Sequence, residues 1–139
     1  MTACFFGTYH REHTVNRIYA AAVRAAGYRL AEQHVALWER TRDKDARYFS
    51  VPALAAGAVR YAAAAARLAL GWLSSGGSEV VVIGFNGQLD VGLLRLVCGR
   101  KRPRIVFAPL VSLTETLVDD RSVYRKGSVM AGLLGAIDR

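Results

Sequence analysis

The chain has 139 residues, 53% hydrophobic and 22% charged, with a net charge of +8. That length fits one domain with a real core. The basic charge favours anionic partners: phosphates, an acidic membrane surface or nucleic acid. Arginine carries nearly all of it, lysine occurring only at Lys44, Lys101 and Lys126, and arginine with abundant alanine also reflects genomic base composition. The densest basic cluster is short, Arg100-Lys101-Arg102-Pro103-Arg104. The start of the chain lacks a charged segment followed by an apolar one, so no secretory signal is expected. Cys4 and Cys98 sit in apolar surroundings without metal-ligand spacing and read as small buried hydrophobes of a reducing compartment. Ala53–Leu73 is apolar but carries Arg60 and Arg67 at its centre, which argues against a transmembrane helix. The expected location is the cytoplasm.

Ala3-Cys4-Phe5-Phe6 reads as the first strand, stopped by Gly7. Thr14 is a candidate N-cap. Behind it, Val15, Ile18, Tyr19, Ala22, Val23 and Ala26 share a helical face. Gly27 ends that helix. Tyr28–Val35 is a weaker second strand, and Ala36–Tyr48 is a charge-rich connection. Ser50-Val51-Pro52 opens a long alanine-rich helix with proline in its first turn. Leu54, Ala58, Tyr61, Ala65, Leu68 and Trp72 form its apolar stripe, and Ser74–Ser78 turns the chain.

Val80–Ile83 is a β-branched run without alternation, as in a strand buried on both faces of a parallel sheet. Gly84-Phe85-Asn86-Gly87-Gln88 is a polar turn, after which Leu89, Leu93, Leu96 and Val97 recur at helical spacing. Arg104–Ala108 is the fourth strand, stopped by Pro109. A polar loop through Ser112, Glu115, Asp119, Asp120 and Arg121 leads to a last helix over Gly127–Ile137. The alternation of strands and helices predicts a Rossmann-like three-layer α/β/α domain over residues 1–139. Its sheet is parallel, with expected order 3-2-1-4. The crevice beyond the strand ends is then the expected site, with residues near Gly7 facing residues near Ser112.

Four groups of residues in that region can carry chemistry. Gly7-Thr8-Tyr9 lets backbone approach a phosphate, although neither GxGxxG nor the GxxxxGK[ST] loop is present. Asn86-Gly87-Gln88-Leu89-Asp90 offers two amides and a carboxylate at a helix start, suited to sugar hydroxyls or to helix capping. Glu115, Asp119 or Asp120 can serve as a general base or belong to a charged surface loop. His10, His13 and His34 lie at the same edge, with His13 nearest the first helix. Arg11 and Arg17 near that helix start can meet a phosphate. No triad or metal-ligand spacing can be assembled.

Taken in order, FFGTYHREHTVNRI, LWERTRD, VVVIGFNGQLDVGLLRL and VFAPLVSLTETLVDDR resemble the N-terminal half of bacterial family-4-like retaining glycosyltransferases of the GT-B fold. In that family the first segment usually reads like FGTYDPxxxRNRI and the third like GxxGQLDVxLARL. The resemblance spans nearly the whole chain. It implies an acceptor-side domain whose C-terminal donor domain is absent from residues 1–139. The complete enzyme would transfer a sugar from a nucleotide-diphosphate sugar to an acceptor hydroxyl with retention, and the isolated domain would be inactive or nearly so. Gly7, Thr8 and Tyr9 would form the loop near the donor phosphates. Asn16 and Arg17 match the asparagine-arginine of the first helix. Gly87, Gln88 and Asp90 match the GQLD turn on the acceptor side, with Asn86 beside them and Ser112 in the loop after strand four. The candidates for catalysis are His13, Glu115 and Asp119. Two departures stand out: Ala108 and Glu115 occupy positions where aspartate is frequent in the family.

The resemblance implies no metal and no cofactor. The expected partners are the nucleotide sugar, an acceptor that is often lipid-linked, and the missing donor domain. A face left by that domain would allow homodimerisation through the cleft. Peripheral contact with the inner membrane face is compatible with a lipid-linked acceptor, whereas a nucleic-acid partner rests on charge alone and is not expected. The alternative is a free-standing Rossmann-like module that binds a nucleotide or a partner without catalysis.

Overall fold

The computed structural model describes residues 1–37, 51–85, 87–99, 102–107, 125, 127–129, 132, 135 and 136, without the side chains of 51–54. The chain divides into two compact units, Met1–Ala108 and Pro109–Arg139. In the second, Val129, Gly132, Gly135 and Ala136 are helical, within the stretch expected to form the last helix. The remaining expected residues of that helix, and the loop from Ser112 to Arg121, lie outside the described residues.

The first unit runs β1 (Thr2–Gly7), α1 (Thr14–Ala25), β2 (Arg29–His34), α2 (Val51–Ser74), β3 (Val80–Ile83), α3 (Gln88–Val97) and β4 (Arg104–Phe107). All three strand pairings are parallel. Cys4, Phe6, Val81 and Ile83 point to one face, where Leu68 and Trp72 of α2 and Leu94 of α3 pack on them. Phe5 and Val82 point to the other, where Tyr19 and Val23 of α1 cover them. The result is a three-layer Rossmann-like α/β/α unit, as the alternation of elements predicts.

The strand order is β2-β1-β3-β4, a variation on the expected 3-2-1-4 in which β3 pairs with β1 instead of leaving β2 inside. The reason is polarity. β2 reads RLAEQH and is at most half-buried along its length, so it suits an edge. β1 and β3 are buried almost throughout and take the centre. Strands buried on both faces need apolar side chains in both directions, and only those two supply them. The change moves the topological switch point. It lies between the ends of β1 and β3, so the loop after Gly7 meets the turn at Gly84; the residues near Ser112 expected to face it lie outside the described residues.

Local details differ from the pattern in instructive ways. Thr14 is the first residue of α1, and His13 takes the N-cap position without a side-chain capping bond. Gly27 (φ +83°) lies just beyond the C-cap, where its amide donates to Arg24 O (3.0 Å) and that of Tyr28 donates to Val23 O (3.3 Å). These two bonds form a Schellman stop. Ile18 is exposed while Asn16 is buried. On α3, Leu89 and Leu96 are exposed, and the inward face carries Gln88, Asp90 and Leu94. No helix among the described residues is long and apolar enough to cross a membrane.

Candidate functional site

The ends of β1 and β3 lie side by side, with Phe6 opposite Ile83. The chain leaves β1 through Gly7, whose φ of +130° disfavours any other residue. A Cβ there would fall on the carboxylate of Asp90. Asp90 sits in the first turn of α3, where a helical side chain tilts back toward the N-terminus and so toward this loop. It is 1% exposed. Its Oδ2 accepts the Thr8 amide at 2.7 Å and the Thr8 hydroxyl at 3.1 Å. Its Oδ1 accepts the Tyr61 hydroxyl from α2 at 3.1 Å. Burial pushes the Asp90 carboxyl above the usual carboxylate range, and the donors from Thr8 and Tyr61 oppose that rise. Burial, followed by the charge of Asp90, likewise raises the Tyr61 phenol. Thus Asp90 joins β1, α2 and α3 from the inside, and its carboxylate is enclosed rather than presented to a ligand.

Asn16 makes the second tie. Its Nδ2 donates to His10 O at 2.8 Å, and its Oδ1 accepts the Phe85 amide at 2.7 Å. A buried side-chain amide must find such partners or lose the hydration it gave up, which explains a polar residue on the inner face of α1. Gly84 permits this closeness, because a Cβ there would come within 2.6 Å of Tyr9 Cβ and 2.8 Å of Asn16 Oδ1. The loop from β1 to α1 and the turn after β3 therefore pack as one body.

Above these ties lies an aromatic and imidazole cluster. The His34 imidazole hydrogen-bonds the Tyr9 carbonyl through Nε2 at 2.6 Å, and its ring lies 4.6 Å from that of Tyr9. A carbonyl only accepts, so Nε2 carries the proton. His13 stacks on Phe85 at 4.6 Å between ring centres. The Nδ1 atoms of His10 and His13 are shielded from solvent and find no hydrogen-bond partner among the described residues. Beside the cluster, a cleft of about 410 Å³ is bordered by Tyr9, Arg11, Asn16, Arg17, Arg24 and Glu32. In it the Glu32 carboxylate forms ion pairs with Arg11 at 3.1 Å and Arg24 at 3.8 Å. A larger groove of about 900 Å³, bordered by Met1, Glu79 and Arg104 among others, lies at the opposite edge, where strands begin.

Of the site residues read from sequence, Gly7, Thr8, Tyr9, His13, Asn16, Gly87, Gln88 and Asp90 gather at the switch point, and Arg17 lines the adjacent cleft. Asn86, Ser112, Glu115 and Asp119 lie outside the described residues. Sequence reading missed Tyr61. It lies 29 positions from Asp90, and its only signal is a phenol within a run of alanines. Among the described residues no group of three or more His, Cys, Asp or Glu could hold a metal ion.

The fold and these ties define a Rossmann-like α/β domain with a closed-in switch point. No protein-family model matches the chain, and no curated protein or solved structure matches it.

Proposed function

We propose that residues 1–139 are the acceptor-side domain of a retaining GT-B glycosyltransferase, which moves a sugar from a nucleotide-diphosphate sugar to an acceptor hydroxyl. One observation carries this reading. The two segments with the clearest resemblance, FFGTYHREHTVNRI and GFNGQLDV, are far apart in sequence yet bonded to each other at the β1–β3 switch point through Thr8–Asp90 and Asn16–Phe85. Ligands of open parallel sheets bind in the crevice at such a point.

In this reading the segment Gly7–Tyr9 borders the donor diphosphate, Arg17, Gly87 and Gln88 border the acceptor, and Asn86 and Ser112 stay candidates for the acceptor side. Asp90 is a positioning residue that holds Thr8. His13, Glu115 and Asp119 stay the candidates for catalysis. The cationic character of the domain favours a departing diphosphate, whose charge grows as the sugar leaves. The domain works in the cytoplasm, against the inner membrane face where the acceptor is lipid-linked, and no resident metal or cofactor is required.

The test is thermal stability of the chain with a panel of nucleotide sugars and nucleoside diphosphates, alone and mixed with a separately expressed donor-side domain. A ligand-dependent shift that appears only in the mixture is the expected result. A clear shift with the lone chain, unchanged by the second domain, would overturn the reading in favour of a self-sufficient nucleotide-binding module.

A further inference from the structure

The cleft of about 410 Å³ between α1 and the edge strand β2 is rich in hydrogen-bond donors. Three arginines border it, Arg11, Arg17 and Arg24, against two glutamates, Glu12 and Glu32. Glu32 is taken up with Arg11 at 3.1 Å. Its separation from Arg24 is 3.8 Å, beyond hydrogen-bond length, so the Arg24 donors stay available. Arg17 makes no ion pair among the described residues. α1 holds Arg17 and Arg24 but no acidic residue. The two lie about 10.5 Å apart along the helix axis, and small Ala20 borders the cleft between them. Long side chains from either end can converge on one group above Ala20. The fourth donor is Tyr9. It is 3% exposed, and its ring is fixed between Phe5, edge-on at 4.3 Å, and His34 at 4.6 Å. Its hydroxyl is shielded from solvent and completes no hydrogen bond among the described residues. Burial raises the phenol and Glu32 adds to the rise, while Arg11 comes close enough to oppose it. The hydroxyl therefore keeps its proton. A buried hydroxyl without a partner costs free energy, and here it borders a cleft.

We propose that this cleft binds a polyol phosphate monoester, its phosphate held by Arg17, Arg24 and the Tyr9 hydroxyl and an alcohol group held by Glu32. A donor-rich cleft calls for an acceptor-rich ligand, and phosphate oxygens are strong acceptors. Guanidinium groups meet them in pairs, through charge-assisted bonds that are stronger than neutral ones. The Tyr9 proton then has the acceptor that the fold withholds. Glu32 repels a phosphate but accepts from hydroxyls. With Arg17 and Arg24 on α1 and Glu32 on β2, the ester lies with its phosphate toward the helix and its alcohol toward the strand. The volume suits a small ligand. Arg17 is common to this cleft and to the acceptor side of the proposed reaction. The cleft is complete without nucleotide or donor domain, so the inference does not depend on that reaction.

The experiment is calorimetric titration of the full chain with glycerol phosphate, inorganic phosphate and vesicles containing phosphatidic acid, with neither nucleotide nor donor domain present. Saturable binding of glycerol phosphate at a single site is expected. Arg17→Gln and Arg24→Gln should each weaken it by about tenfold. Tyr9→Phe should also weaken it without lowering the melting temperature of the free chain, because the lost hydroxyl had no partner. A purely structural Tyr9 would give the reverse, a lower melting temperature and unchanged affinity, and would overturn its role. Arg67→Gln removes the same charge from α2, which packs on the other face of the sheet, and should leave the affinity unchanged. Inorganic phosphate should compete but bind more weakly, since it lacks the alcohol. Vesicles bound through the same residues would make the ester a lipid headgroup, and indifferent vesicles a soluble molecule; both uphold the site. Absence of glycerol phosphate binding at millimolar concentration overturns the proposal. So does a loss in Arg67→Gln equal to that in Arg17→Gln, which would reflect only diffuse attraction to a chain of net charge +8.

Discussion

At the residue scale, Asp90 decides most. It is a carboxylate taken out of water and compensated by donors on two other elements. Asp90→Ala leaves the Thr8 amide and the Tyr61 hydroxyl without an acceptor, and urea denaturation should show a loss of about 3 kcal/mol. Asp90→Asn keeps an acceptor and should cost about 1 kcal/mol at low pH. A carboxyl raised by burial contributes stability that is complete below its ordinary value, here 3.8, and is lost as pH rises through its folded value. The wild type should therefore lose ground to Asp90→Asn as pH rises above about 4. Parallel pH profiles for the two proteins would refute a raised Asp90. Gly84→Ala should destabilise by about 1–3 kcal/mol, because the added methyl meets Tyr9 and Asn16 below van der Waals distance. Asn16→Ala should also free the Phe85 amide, read as faster hydrogen exchange at that position alone if the loops separate before the sheet does.

At the scale of elements, periodicity shows where helices and strands lie but ranks their faces poorly when a polar group is buried. β3 is legible because four apolar β-branched residues in a row have one good use. α3 is legible as a helix, yet of Leu89, Leu93, Leu96 and Val97, Leu89 and Leu96 are exposed while Asp90 is buried. A count of apolar residues cannot anticipate a carboxylate that finds its donors in the loop after β1 and on α2. α1 repeats the lesson with Asn16 and Ile18. β2 is legible in hindsight, since RLAEQH already describes an edge strand, and giving its polarity weight over chain order would have produced the observed sheet. The stop of α1 is also written in the sequence. Gly27→Ala should cost about 1 kcal/mol in a thermal melt, because φ of +83° strains any residue with a Cβ.

At the scale of the whole molecule, three acids are held neutral by burial. Burial pushes the Cys4 thiol up to about 11 and raises the Tyr9 and Tyr61 phenols above their ordinary value of 10.0. Groups raised in this way contribute stability that is intact below their unfolded values and lost as pH climbs past them. The melting temperature should hold near neutrality and fall steeply above pH 9–10, where the unfolded thiol and phenols ionise first. Tyr61→Phe should make that fall shallower at a cost of about 1 kcal/mol at pH 7. A melting temperature flat to pH 11 would mean that these side chains are solvated in the fold.

The sequence by itself determined the class of this protein. It specified a parallel α/β unit and its central strands, gathered the candidate site residues at the strand ends near Gly7 and Gly87, and indicated that Cys4 is a core residue. These follow from local composition and spacing, which a linear reading carries. Only the tertiary structure decided the neighbours: that β3 lies against β1, that Thr8, Tyr61 and Asp90 share one set of hydrogen bonds, and that Leu68 and Trp72 of α2, not Leu70 and Leu73, pack on the sheet. The reason is physical. A buried polar group is tolerated or excluded according to the partners that folding brings to it, and those partners are tens of residues away in the chain.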